Sequence, residues 1–140
     1  MDRYVNQDEG AFQPGRIKLD IQFTAGSSGA VPTTFAAFTV ADGLDPNLTT
    51  PMTLSGTGVY TCLLADSYVR LLSAKFSVIQ ATYNAAHGQE GYVITNSVTD
   101  GTTPAVAFQC TRPDTGAAVA VTSGDVVCIT LELQRMTGDH

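Results

Sequence analysis

Asp125-Val126-Val127-Cys128-Ile129-Thr130-Leu131-Glu132-Leu133-Gln134-Arg135-Met136 is the stretch whose reading decides the fold. Val127, Ile129, Leu131 and Leu133 alternate with Cys128, Thr130, Glu132 and Gln134. A period of two puts the apolar set on one face of a pleated strand and most of the polar set on the other, the pattern of a half-buried antiparallel sheet. Arg16 to Ala25 repeats it, with Ile17, Leu19, Ile21 and Phe23 on one side and Lys18, Asp20 and Gln22 on the other.

Between these two runs the chain reads as further short strands separated by turn chemistry. Thr34 to Val40 is predicted as a strand after the Gly26-Ser27-Ser28-Gly29 and Val31-Pro32 loop. Asp42-Gly43, Asp45-Pro46 and Thr50-Pro51 make 41–51 a long irregular connection. Met52 to Leu54 and Val59 to Leu64 flank a turn at Ser55-Gly56-Thr57-Gly58. Asp66 is a candidate N-cap for one helical turn through Val69, Arg70 and Leu71, and Ser67 to Ala74 is the best helical candidate, one or two turns without a clean 3.6-residue period.

Leu72 to Tyr83 alternates, with Ala74, Phe76 and Val78 opposite Ser73, Lys75 and Ser77. Tyr92 to Val98 and Pro104 to Thr111 are joined by Asp100-Gly101, a strong hairpin signal. Pro113-Asp114-Thr115-Gly116 turns the chain into a strand at Ala117 to Val121. About eight strands at short spacing predict an all-β, antiparallel β-sandwich or small barrel. Residues 1–15 are mostly polar and end in Gln13-Pro14-Gly15, so they read as an extended N-terminal arm, with 16–140 as the β domain.

The 140 residues suffice for one self-supporting core. Charged residues are 14% of the chain and the net charge is -6. The seven basic residues, Arg3, Arg16, Lys18, Arg70, Lys75, Arg112 and Arg135, are scattered along the sequence, which predicts no nucleic-acid partner. No apolar run approaches the roughly 20 residues needed to cross a bilayer, and the MDRYVNQDEG start lacks the basic and apolar regions of a signal peptide. No membrane partner is expected.

Cys62, Cys110 and Cys128 lie far apart in apolar or alternating runs. They read as small buried hydrophobes, the alternative being one disulfide and a leftover thiol. An odd count fits assembly in a reducing cytoplasm.

Chemistry is hard to find. A triad would have to be drawn from Ser73 or Cys62 with His87 and Asp66, and no nucleophile elbow frames any of them. His87, in Ala85-Ala86-His87-Gly88, reads as a solvated loop residue. Asp42, Asp45, Asp66, Asp100, Asp114 and Asp125 fall mostly in turns, where aspartate caps backbone N–H groups, and lack the spacing of a calcium loop. Asp8 and Glu9 lie in the arm, while Glu90 and Glu132 are isolated, so no pair of carboxylates frames a glycosidase site. Tyr60, Tyr68, Tyr83 and Tyr92 read as core or interface residues, or as the lining of a sugar groove. No catalytic, metal or cofactor residue is assigned.

Gly56-Thr57-Gly58-Val59-Tyr60-Thr61-Cys62-Leu63-Leu64-Ala65-Asp66-Ser67-Tyr68, continuing through Val69 to Ala74 and closed by a strand after Ser123-Gly124-Asp125, resembles a pattern in small virion proteins of tailed bacteriophages. The resemblance covers about half the chain, from Gly56 onward. It implies a head decoration, or cement, protein: a non-enzymatic β-rich subunit, often trimeric, made in the host cytoplasm and seated on the virion. There it would clamp neighbouring copies of the major capsid protein. On this reading the arm lies across a subunit seam and adds a strand to a neighbour, and Ser27, Ser28, Thr33 and Thr34 permit close polar contacts. The alternative is a tail, baseplate or fibre module that binds a host surface glycan through loops 84–91 and 112–116.

Overall fold

The computed structural model describes residues 15–40, 52–64 and 66–135. Most of the arm, the 41–51 connection with Asp42 and Asp45, and Met136 lie outside the described residues. The fold is all-β. In chain order the strands are β1 (Arg16–Thr24), β2 (Thr39–Val40), β3 (Met52–Leu54), β4 (Val59–Leu63), β5 (Arg70–Ile79), β6 (Glu90–Asn96), β7 (Ala105–Thr111) and β8 (Val126–Gln134). Seven of them have three or more residues, and β2 is a two-residue edge. They form one antiparallel sheet in the order β2-β1-β8-β5-β6-β7-β4-β3, curled into a half-barrel.

The two runs that announce the sheet pair with each other along their whole length, from Arg16↔Gln134 to Thr24↔Val126. Leu19, Ile21 and Phe23 of β1 are thereby set in register with Leu131, Ile129 and Val127 of β8, and all six are buried. β5 covers the other side of β8 from Arg70↔Gln134 to Ile79↔Val126. β4 and β6 flank β7, whose Val106, Phe108 and Cys110 face inward. Ala107 points outward yet is also buried, because its small side chain sits between Thr61 and Thr95 in the adjoining strands.

Side chains close the curl. Phe23 on β1 and Tyr60 on β4 stand five strands apart in the sheet, about 24 Å in a flat one, yet their ring centroids are 5.9 Å apart. Phe38 packs edge-on against Phe23 at 5.4 Å, Phe76 lies 5.6 Å from Tyr60, and Phe108 lies 5.7 Å from Phe76. Five rings therefore run in sequence through the core. The Tyr60 hydroxyl donates to the Gly29 carbonyl at 2.7 Å, giving the one polar atom of this row a buried partner. Burial, followed by the charge of a neighbouring Cys110 thiolate, pushes the phenol up to about 12.

β5 and β6 share a single registered pair, Ser77↔Glu90, beside which Val78 N–H donates to the Gln89 carbonyl at 3.0 Å. Gly91 makes room for Phe76 at this seam. A Cβ there would lie 2.6 Å from the Phe76 ring and 2.7 Å from the Gln109 carbonyl oxygen, so only a bare backbone lets the ring cross the seam.

Three segments depart from the alternation. Thr34 to Val40 is not one strand: Ala37 N–H donates to the Thr34 carbonyl at 3.2 Å, closing a 3-10 turn over Phe35–Ala37, and only Thr39 and Val40 pair with β1. The turn brings Phe38 under Phe23, which an extended run would not require. No helical turn follows Asp66, because Val69 N–H donates to Gln134 at 2.7 Å and β5 begins at Arg70, drawn into the ladder by β8. Ser67 to Ala74 is accordingly coil and then strand. Ala117 to Val121 makes only the isolated bridge Thr111↔Ala118 and runs as a strap. Val119 N–H donates to the Cys110 carbonyl, and the Val119 carbonyl oxygen would sit 2.1 Å from any Cβ on Gly58, whose φ is +69°.

The ring row and the seam predict two losses of stability in a thermal or urea unfolding series. Tyr60→Phe strands the buried Gly29 carbonyl and costs about 1–2 kcal/mol. Gly91→Ala forces Phe76 or the β7 backbone to move and costs about 1–3 kcal/mol.

Candidate interaction surface

Burial sorts the groups that sequence reasoning weighed for chemistry. Cys62 and Cys110 are buried and unpaired, and desolvation pushes each thiol up to about 12, so neither is a thiolate at neutral pH. Cys128 is half-buried on the outer face. Its thiol is raised by burial, against a hydrogen bond from the Gln22 amide. The cysteines form no disulfide.

The residues of the imagined triad are kept apart. Cys62 pairs with Val106, whereas the His87 loop joins the sheet where Gln89 N–H donates to Thr111, five residues and about 17 Å along β7. Asp66 precedes β5 and lies 3.8 Å from Arg135, while His87 follows the far end of the same strand, about 30 Å away. Ser73 faces outward beside Glu132. Among the described residues no group of three or more His, Cys, Asp or Glu side chains is arranged to hold a metal. No described helix is long and apolar enough to cross a membrane.

The turn aspartates do local structural work. Asp100 Oδ1 accepts the N–H groups of Thr103 and Thr102, which fixes the β6–β7 hairpin and holds the carboxyl below its ordinary value. Asp114 is held down by a two-pronged hydrogen bond from Arg112. Asp125 is buried and accepts from Ala81 N–H at 3.1 Å, tying the β5–β6 loop to the start of β8.

Loops 84–91 and 112–116 meet at one end of the sheet, where Asp114 N–H donates to the Ala85 carbonyl at 3.3 Å. The first is braced from within. Gln80 accepts from Asn84 N–H and donates to the carbonyls of Asn84 and Gly88, and Asn84 accepts from Ala86 N–H. Two depressions stand out among the described residues. One, about 440 Å³, is lined on the outer face by Asp20, Gln22, Thr39, Cys128 and Thr130. The other, about 370 Å³, lies between Ala30–Thr33 and β3. In the first, the Asp20 carboxylate accepts from the Thr130 hydroxyl at 2.8 Å. Ser27, Ser28, Thr33 and Thr34 are all exposed.

The outer surface is uneven in polarity. Among the described side chains the large exposed hydrophobics are Leu72, Ile79, Tyr83, Tyr92 and Ile94, and every one belongs to the β5–β6 hairpin. Two bulges contribute. A register shift between Leu71 and Ser73 turns Leu72 out of the face that Ala74 and Phe76 occupy, and a second between Val93 and Thr95 leaves Ile94 without an opposite residue. Tyr60 and Tyr68 are core residues, whereas Tyr83 and Tyr92 are 68% and 57% exposed. These five side chains are spread along the hairpin, from Leu72 near the start of β5 past Ile79 at its end to Ile94 on β6.

Beside this hairpin the outward residues of β1, β8 and β5 form cross-strand rows. Arg16, Gln134 and Arg70 make one, Lys18, Glu132 and Ser73 the next, and Asp20, Thr130 and Lys75 the third. Cations dispersed in sequence are thus collected on one face, which corrects the scattered reading. A hydrogen bond from Arg16, helped by the charges of Arg16, Lys18 and Lys75, holds the Glu132 carboxyl below its ordinary 4.5. A depressed carboxyl adds stability that is complete above its unfolded value and is lost as pH falls through the folded one. Arg16→Gln should therefore move the Glu132 titration, followed by side-chain carboxyl NMR, back up toward 4.5.

No family model, curated protein or solved structure matches this chain.

Proposed function

We propose that the protein is a structural virion subunit of the head decoration type, which binds across boundaries between major capsid subunits and stabilises the shell without catalysis. The observation that carries this reading is that, among the described residues, every large exposed hydrophobic side chain, Leu72, Ile79, Tyr83, Tyr92 and Ile94, lies on one hairpin. The resemblance of Gly56 to Ala74 to phage virion proteins supports it, and the burial of the Cys62 and Cys110 thiols agrees with a role in adhesion. The mechanism is mass action: a subunit that binds only the assembled shell shifts the shell toward greater stability. On this reading the curled sheet acts as an eight-stranded sandwich or small barrel, residues 1–15 reach across a seam, and the working unit is a homo-oligomer, a trimer by preference.

A second reading has its own support. Loops 84–91 and 112–116 are joined by a hydrogen bond and lie beside the exposed Tyr83, an arrangement suited to a tail or fibre module that binds a host glycan.

Sedimentation with purified phage heads separates the two. Wild-type protein should co-sediment with heads and give no signal on a glycan array. A Tyr92→Ser/Ile94→Ser double variant should keep its melting temperature and bind heads at least about tenfold more weakly, the loss of roughly 1.4 kcal/mol expected for central apolar contacts. Deleting residues 1–14 should abolish binding and leave the β domain folded. Normal decoration by both variants, or glycan binding in place of head binding, would overturn the proposal.

A further inference from the structure

From the cross-strand rows we infer that the outer face of β1, β8 and β5 is a docking site for an acidic segment of a partner protein, read through carboxylates. Arg16, Lys18, Arg70 and Lys75 are exposed and share an area three strands wide, about 10 Å, and about 14 Å along the strands. Two carboxylates, Asp20 and Glu132, stand among the four cations, and each is already engaged, with the Thr130 hydroxyl and with Arg16. Lys18, Arg70 and Lys75 form no direct ion pair with a described residue. Ser73, Thr130 and Gln134 between them are neutral, and although Glu132 attracts Lys18 and Lys75, four cations against two carboxylates leave the face net positive.

The setting selects the partner's chemistry. The whole chain carries 13 acidic residues against seven basic ones, so this face is a positive island on an acidic protein. A nucleic acid or an anionic membrane extends far beyond such an area, and the chain's net charge of -6 opposes its approach. A short run of aspartates or glutamates matches the island in size and leaves its flanks free. Leu72 adjoins the rows on β5, so a protein segment would find apolar surface next to the cations, the mixture usual at protein contacts. The inference is independent of the capsid reading and holds for any partner that presents such a run.

Fluorescence anisotropy with a labelled oligoglutamate peptide, and with single-stranded DNA of equal charge, tests it in the full-length protein. The peptide should bind at low ionic strength, weaken as salt is added, and bind at least about tenfold more weakly to Lys18→Glu/Lys75→Glu. Arg112→Glu, whose cation is paired with Asp114 away from these rows, should bind as wild type. Unchanged melting shows that the charge variants fold, and Arg70→Gln gives a second, milder reduction. Absence of peptide binding, equal binding by the double variant, or tighter binding of DNA than of peptide would each overturn the inference.

Discussion

Contact between the rings of Phe23 and Tyr60 is the constraint on which the rest of this structure depends. It joins β1 to β4 across the interior of a sheet in which they are distant neighbours, and Phe38, Phe76 and Phe108 extend the row on either side. With these rings together the sheet has an inside, and Leu19, Ile129, Val106 and Met52 become wholly buried. Without them a flat sheet would leave one face of alternating apolar residues in water, at a cost of about 25 cal/mol for each Å² exposed.

That same closure distributes the outer surface. β5 and β6 meet at one registered pair, and a bulge in each turns Leu72 and Ile94 toward solvent. Because β8 lies between β1 and β5, three strands remote in sequence share one outward plane and bring Arg16, Lys18, Arg70 and Lys75 together. The exposed Leu72 therefore adjoins the cationic rows on β5. The Cys62 and Cys110 thiols are buried and protonated at neutral pH, and His87 lies far along the sheet from Cys62.

Much of the strand inventory was legible in the sequence, and the failures are instructive. Arg16 to Ala25 and most of Asp125 to Met136 were readable because a period of two is a local signal. Asp100-Gly101 marked the right connection but not its form: eight residues, 97–104, separate β6 from β7, and Asp100 serves as acceptor for Thr102 and Thr103 N–H outside any two-residue turn. Thr34 to Val40 misled because Phe35 and Phe38 look like strand residues, while the chain uses a 3-10 turn to deliver Phe38 to Phe23. Ala117 to Val121 misled for a related reason: Val119 and Val121 are apolar because they pack on the core, and the segment pairs at one bridge only. The candidate surface was far less readable, since alternation assigns Leu72 to the core and only the bulge reverses it.

By itself the sequence determined the all-β class, the positions of most strands and most of the turns, because each depends on residues close together along the chain. Only the tertiary structure decided the strand order, the curl, the bulged residues and the gathering of four cations on one face. Those depend on which strands pair and in what register, and pairing is set by burial summed over the whole sheet, a quantity that no local pattern contains.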